Sequence, residues 1–289
     1  MTAAIEVAGL TKTFPGFTLG PLSFTLPSGF IMGFIGPNGA GKSTTIKCLL
    51  NLVHPDGGEV HILGLDARRD EVALHQRVGY VAETHPFYRN TTPEWTARFY
   101  SRFYRGWDDE LCRKLLAKFQ VPARKNITQL SKGTRAKLSL ALALAHHPEV
   151  LILDEPMAGL DPIVRREVLQ EMLGVIQDER RAVFFSTHLL EDVAKVADYV
   201  AVLCAGQLVL CREKDDLLAD WKSLAFPAAL LSELKPWLKT WAQEGERCLG
   251  VTGSYRDLTA KRPDLAGQAE VRPLDLEGLL LAEVAHRIP

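Results

Sequence analysis

Four apolar runs in this chain are too continuous for half-exposed strands and too short to cross a bilayer. Phe30-Ile31-Met32-Gly33-Phe34-Ile35, Val150-Leu151-Ile152-Leu153, Ala182-Val183-Phe184-Phe185-Ser186 and the stretch 199–204 each predict a strand buried on both faces, as in a parallel sheet. Residues 1 to about 28 differ: short β-prone runs broken by Pro-Gly turns predict an antiparallel edge. Residues 42–53 predict a helix, and a Pro55-Asp56-Gly57-Gly58 turn and two further strands carry the chain to residue 82. From about 84 to 148 the period becomes helical, and Ala205-Gly206 predicts a tight hairpin between 199–204 and 207–210.

Between the first buried strand and the first helix lies Gly36-Pro37-Asn38-Gly39-Ala40-Gly41-Lys42-Ser43-Thr44. Glycines there let successive backbone N–H groups point into one concavity at the positive end of the following helix, which suits phosphate oxygens. Lys42 adds a point charge for the β and γ phosphates, and Ser43 a hydroxyl for Mg²⁺. The whole pattern, in its strand-to-helix setting, predicts binding of a nucleoside triphosphate.

Two further strand ends carry chemistry. Val150-Leu151-Ile152-Leu153 runs into Asp154-Glu155-Pro156, where Asp154 suits the surroundings of Mg²⁺ and Glu155 can polarise an attacking water. The strand 182–186 ends at Thr187-His188, so an imidazole is expected at the same sheet edge, able to hold the γ-phosphate and the water in line.

Leu130-Ser131-Lys132-Gly133-Thr134 then predicts a helix opened by a serine cap, and Ala158-Gly159-Leu160-Asp161-Pro162 follows the acidic pair. Together these five motifs resemble the ATP-binding cassette family, over about residues 5 to 215. The family signature is most often LSGGQ, from which this chain departs at Lys132 and Thr134. The Ser131 hydroxyl and the N–H groups around Gly133 would still make a phosphate contact, because every non-proline residue has an N–H. The resemblance implies that this signature contacts the γ-phosphate held by a second ATP-binding subunit, in a homodimer or heterodimer closed head-to-tail over two ATPs. It adds Asp161 to the nucleotide interface and places a partner transmembrane permease on another chain.

The fold expected is α/β: a P-loop NTPase cassette with a mixed, mostly parallel core sheet, an antiparallel β edge subdomain and an inserted helical subdomain at about 84–148. The cassette is expected over residues 1–215, with a small C-terminal α+β appendage over 216–289. The family usually has a glutamine where this chain has Glu83, after Val78-Gly79-Tyr80-Val81-Ala82. A carboxylate there can approach Mg²⁺ through an anionic oxygen. Phe14 occupies the place where the family stacks an aromatic on adenine, with Phe17 the alternative. Phe87 and Tyr88 lie where cassettes receive a short helix of the membrane subunit. Trp95, Phe99 and Phe103 fall at i, i+4 and i+8, a helical stripe expected to be subdomain core.

In the tail, Trp221, Trp237 and Trp241 imply buried surface, and Asp275 is expected to cap a helix with Leu276, Leu279, Leu280 and Val284 on one face. The stretch Val271 to Glu277 is similar to the end of exporter cassettes of the ABC-2 kind. Composition changes little. Lys plus Arg 34 against Asp plus Glu 35 gives no bulk charge to attract nucleic acid, and none is expected as a partner. Five cysteines without CxxC spacing suggest reduced thiols, and no secretory leader or spanning segment is evident. ATP and Mg²⁺ are the expected cofactors, and the cytoplasmic face of the cell membrane, peripherally, the expected location. The rival reading is a soluble cassette that regulates the ribosome or DNA.

Overall fold

The computed structural model describes residues 2–284 and divides into two compact units, one ending at Cys211 and one beginning at Arg212. The strands that begin in the first unit are β1 (Ala3–Phe14), β2 (Phe17–Pro27), β3 (Ile31–Ile35), β4 (Gly57–Ile62), β5 (Leu65–Asp66), β6 (Val78–Val81), β7 (Val150–Leu153), β8 (Ala182–Thr187), β9 (Tyr199–Cys204) and β10 (Gln207–Glu213). Its helices are α1 (Lys42–Leu49), α2 (Glu71–Arg77), α3 (Pro93–Tyr100), α4 (Asp109–Lys118), α5 (Lys132–Leu144), α6 (Pro162–Val175) and α7 (Leu190–Val196).

The alternating N-terminal segment forms the antiparallel sheet β2-β1-β4-β5. In β2, Leu22, Phe24 and Leu26 are buried while Ser23 and Thr25 face out, the period expected of a sheet with one wet face. The continuous apolar runs form a second sheet, β10-β9-β3-β8-β7-β6, in which β9, β3, β8, β7 and β6 pair parallel. The two sheets share one core. Phe24 of the first meets Phe34 and Phe184 of the second, at ring-centroid distances of 5.8 and 5.9 Å. The hairpin after β9 turns on Ala205 and Gly206, both with positive φ, and a Cβ on Gly206 would stand 2.1 Å from the Thr18 carbonyl oxygen.

Because β3, β6, β7 and β8 point the same way, the segments that follow them emerge at one sheet edge, the carboxyl end where open α/β sheets bind ligands. The helical segment between β6 and β7 holds α3, α4 and α5. Thr92 caps α3 by accepting from the Trp95 N–H at 3.2 Å, with Pro93 in the first turn. Helix α1 ends at Leu49, before the predicted 53, since Asn51 turns left-handed (φ 55°) and its amide reaches the Glu71 carboxylate at 3.1 Å.

The second unit pairs β11 (Lys222–Pro227), β12 (Thr240–Glu244), β13 (Arg247–Thr252) and β14 (Glu270–Pro273) as an antiparallel sheet ordered β12-β13-β11-β14. Its core includes Leu224, Phe226, Leu234, Cys248, Leu258 and Leu265. Trp221 is buried against Gly253, whereas Trp241 is 44% exposed, so the three tail tryptophans are not alike. Asp275 does cap the helix Leu276–Val284, accepting from the Gly278 N–H at 2.8 Å, with Leu276 and Leu279 buried. The Val284 side chain lies outside the described residues.

Candidate nucleotide site

The loop 36–41 leaves β3 and enters α1 through Gly41 at φ 108°, a conformation that L side chains rarely adopt. Space is equally short there: a Cβ on Gly41 would stand 2.7 Å from Leu19 Cδ1, and one on Gly36 2.3 Å from the Leu203 carbonyl oxygen. Lys42 folds back across the loop, its Nζ donating to the carbonyl oxygens of Gly36 (2.7 Å) and Pro37 (3.2 Å).

The carboxylates after β7 complete the floor. Asp154, 2% exposed, accepts at Oδ1 from the Ser43 hydroxyl at 3.0 Å and from the Ser186 hydroxyl at 2.7 Å. Ser186 in turn accepts from the Glu155 N–H at 2.9 Å, so one buried hydroxyl sets the two acids relative to each other. Glu155 sits at φ 46°, a strained backbone for an L residue, of the kind kept where a side chain must be aimed. Its Oε2 accepts from His188 Nδ1 at 2.9 Å. Its Oε1 lies 3.1 Å from Lys42 Nζ, an ion contact not aligned as a hydrogen bond.

A cavity of about 510 Å³ opens over this floor, lined by Phe17, Asn38, Gly39, Gly41, Lys42, Ser43, Thr44, Glu83, Glu155, Ala158 and His188. The Gly36–Thr44 segment, Glu83, Glu155 and His188 are thus brought together, with Asp154 beneath through Ser43. The carboxylates leave a mark on Tyr80, whose hydroxyl is pushed up to about 12 by burial first and then by Asp154 and Glu83. The donors nearest Asp154 are all oxygen, which suits Mg²⁺. Among the described residues no group of three or more His, Cys, Asp or Glu could hold a metal ion by itself.

Other expected residues lie elsewhere. Phe14 ends β1, 39% exposed, opposite Phe17 across the Pro15-Gly16 turn, with Lys12 Nζ 5.6 Å from its ring centroid. It is Phe17 that lines the cavity, its ring 3.0 Å from where a Cβ on Gly41 would be, so Phe17 buttresses the loop while the ring of Phe14 stays open. Ser131 caps α5, accepting from the Thr134 N–H at 3.1 Å, and Asp161 caps α6, accepting from Ile163 and Val164 at 3.0 and 3.1 Å. Neither these two nor Gly133 lines the cavity. Ser186 and His85 escaped the sequence reading. Ser186 left one signal, a hydroxyl closing an apolar run. His85 left none; it bonds to Ser139 at 3.0 Å, and burial, with Arg135 and Lys132, pushes its imidazole down to about 4.

Beside this site an open groove of about 630 Å³ is lined by Leu52, Val72, Phe87, Tyr88, Phe99, Phe103 and neighbours. The aromatic stripe forms, with Trp95 stacked on Phe99 at 5.2 Å and Phe99 against Phe103 at 5.0 Å. Its expected role as subdomain core does not hold, because Trp95 is 42% and Phe103 60% exposed: the stripe has Tyr88 against Trp95 and Phe99, and Phe99 and Phe103 border the open groove.

Comparison with known proteins shows the family of this chain. The ABC transporter family profile matches residues 19–158, which include the phosphate loop and both acids. An Escherichia coli protein named "probable multidrug ABC transporter ATP-binding protein" is 34% identical over 75% of this chain, and the chain spans only 38% of that relative's length. A bacitracin transport ATP-binding protein of Bacillus licheniformis is 31% identical over 72% of this chain and 69% of its own. A solved ATP-binding subunit of an ABC transporter superposes with a TM-score of 0.69 at 27% identity, over 75% of this chain and 92% of that one. A Nod factor export ATP-binding protein of Burkholderia orbicola is 32% identical over 90% of both chains, and with that coverage the chain belongs to the family of ABC transporter ATP-binding proteins.

Proposed function

We propose that this chain hydrolyses ATP as the nucleotide-binding subunit of an exporter, closing head-to-tail with a second ATP-binding subunit and driving a separate membrane subunit. The observation that carries the hydrolytic part is Glu155 held between Lys42 and His188 at the mouth of the phosphate loop. The unit ending at Cys211 is the cassette, and the unit from Arg212 is an appendage.

ATP enters with adenine stacked on the exposed ring of Phe14 and its phosphates along the backbone N–H groups of the 36–44 loop, Pro37 excepted. Ser43 and Asp154, with Glu83 on the same wall, would hold Mg²⁺, which would supply positive charge to the phosphates. Lys42 turns its ammonium to phosphate. Glu155, released from that contact, takes a proton from the attacking water while His188 keeps it aimed and holds the γ-phosphate in line. Ser131, Gly133 and Asp161, all off this cavity, serve the ATP of the facing subunit. A solved bacterial cassette of the same fold, 22% identical with a TM-score of 0.66 over 72% of this chain and 98% of its own, is dimeric. Export is supported by the Nod factor relative, similar over 90% of each chain. Among the described residues no helix is long and apolar enough to cross a membrane; a spanning partner is supported by relatives described as ATP-binding proteins of transporters. The groove at Phe87 and Tyr88 receives a helix of that partner, with the protein at the cytoplasmic face of the membrane.

Mixing two inactive variants tests the pairing. Lys42→Ala should remove ATP binding in the isolated chain and Ser131→Arg should not, yet both should abolish hydrolysis. A mixed dimer has one interface with an intact phosphate loop facing an intact signature and another with both lesions. ATP-dependent dimers should form on mixing and in neither variant alone; equal loss of ATP binding in both single variants counts against the model.

A further inference from the structure

We propose that Arg165 and Asp192 are positioning residues that tie the Gly159–Asp161 loop to His188 and fix the distance between His188 and Glu155. The proposal rests on reading Glu155 and His188 as the hydrolytic pair.

Asp192 lies in the first turn of α7, 1% exposed, and its Oδ1 accepts from Arg165 Nη2 at 2.7 Å. Its Oδ2 is buried and has no hydrogen-bond partner among the described residues. An apolar pair would join α6 to α7 at least as well for stability, since taking a carboxylate out of water costs much of what one ion pair returns. What the ion pair adds is direction: one atom of α6 is set against one atom of α7.

Both ends of that link lead to the hydrolytic pair. Helix α7 begins two residues after His188, and the Leu189 N–H donates to Thr187 Oγ1 at 3.0 Å, so the pose of α7 dictates the backbone at 188. The helix cannot slide freely over β3, because Val193 occupies the space of the missing Gly33 side chain, where a Cβ would stand 2.7 Å from Val193 Cγ1. On the other side, the Arg165 N–H donates to the Asp161 carbonyl at 3.0 Å, in a helix that Asp161 itself caps. The loop ending at Asp161 starts at Pro156, directly after Glu155. The contacts therefore close a ring, from Glu155 through this loop, Arg165, Asp192 and His188 back to Glu155 at 2.9 Å. A displacement of the loop reaches the water-activating carboxylate by two routes, and the ion pair keeps them in register.

The test is steady-state hydrolysis by Asp192→Asn, Arg165→Gln, their double variant and Arg165→Lys, with thermal unfolding alongside. The proposal expects each single neutral variant to lose about tenfold in kcat with KM for ATP within about twofold, as for a misplaced catalytic group. Arg165→Lys should lose less, and the double variant no more than either single one, because the two residues act as a unit. Unchanged kcat in both single variants, multiplied losses in the double, or KM rising in step with the fall in kcat would overturn it. Should Asp192→Asn unfold, Arg165→Lys decides by whether kcat falls at wild-type Tm. His188→Ala separates the two levels: wild-type turnover there sinks the hydrolytic reading itself, whereas lost turnover there with normal kcat in the pair variants sinks only the positioning role.

Discussion

Lys42 Nζ stands 3.1 Å from Glu155 Oε1, so the phosphate-loop cation and the carboxylate at the end of β7 hold each other in one small site, both less than a tenth exposed. Each is the group the other must release when a triphosphate arrives. Lysine exchanges a carboxylate for phosphate oxygens, and the freed carboxylate oxygen becomes a base while its second oxygen stays on His188.

Glu155→Gln keeps the shape and loses the base. We expect turnover to fall at least about 100-fold with ATP affinity retained, and closed dimers to accumulate with ATP on size-exclusion chromatography. Near wild-type hydrolysis would remove Glu155 from the base role.

Ser186→Ala removes the hydroxyl between Asp154 and the Glu155 N–H. The buried N–H is left unpaired, a loss of about 1–3 kcal/mol in unfolding free energy. Asp154 is also less firmly aimed, so the Mg²⁺ concentration for half-maximal hydrolysis should rise; superimposable Mg²⁺ titrations of variant and wild type would show that Ser186 serves packing alone.

Phe14→Ala and Phe17→Ala should part company. Loss of base stacking is worth about 1–3 kcal/mol, so Phe14→Ala should raise KM for ATP about tenfold with Tm unchanged. Phe17→Ala withdraws the buttress from Gly41 and should lower Tm. If KM responds to Phe17 and not to Phe14, adenine stacks on the cavity wall instead.

His146 is 4% exposed, stacked on Tyr104 at 4.0 Å, with Nε2 donating to the Val78 carbonyl at 3.2 Å. Burial pushes its imidazole down to about 4, below the ordinary 6.5. As pH falls through 6.5 the unfolded chain takes up a proton that the folded one refuses, so stability drops between pH 6.5 and 4 and is unaffected above that window. By pH 5 the loss is on the order of 2 kcal/mol. His146→Phe keeps a ring against Tyr104 and should flatten the fall in Tm between pH 7.5 and 5; an unchanged slope would assign it to other groups, His85 first.

The sequence by itself determined what depends on short stretches of chain. The phosphate loop needs glycines at fixed offsets before a lysine. The parallel strands need runs apolar on both faces. The Ser131 and Asp275 caps need a short oxygen one turn ahead of an N–H. Each condition is satisfied within a few residues, so each was legible before any contact was known. Which side chains meet across the sheet was not, because pairings such as Ser43 with Asp154, Ser186 with the Glu155 N–H and Arg165 with Asp192 join residues 27 to 111 positions apart. Periodicity likewise gave the Trp95-Phe99-Phe103 stripe but not its exposure, since whether an apolar face is core depends on what packs against it. Only the order of the strands in space decided that three separate segments would deliver an ammonium, two carboxylates and an imidazole to one edge, where low exposure and fixed neighbours turn ordinary side chains into a site.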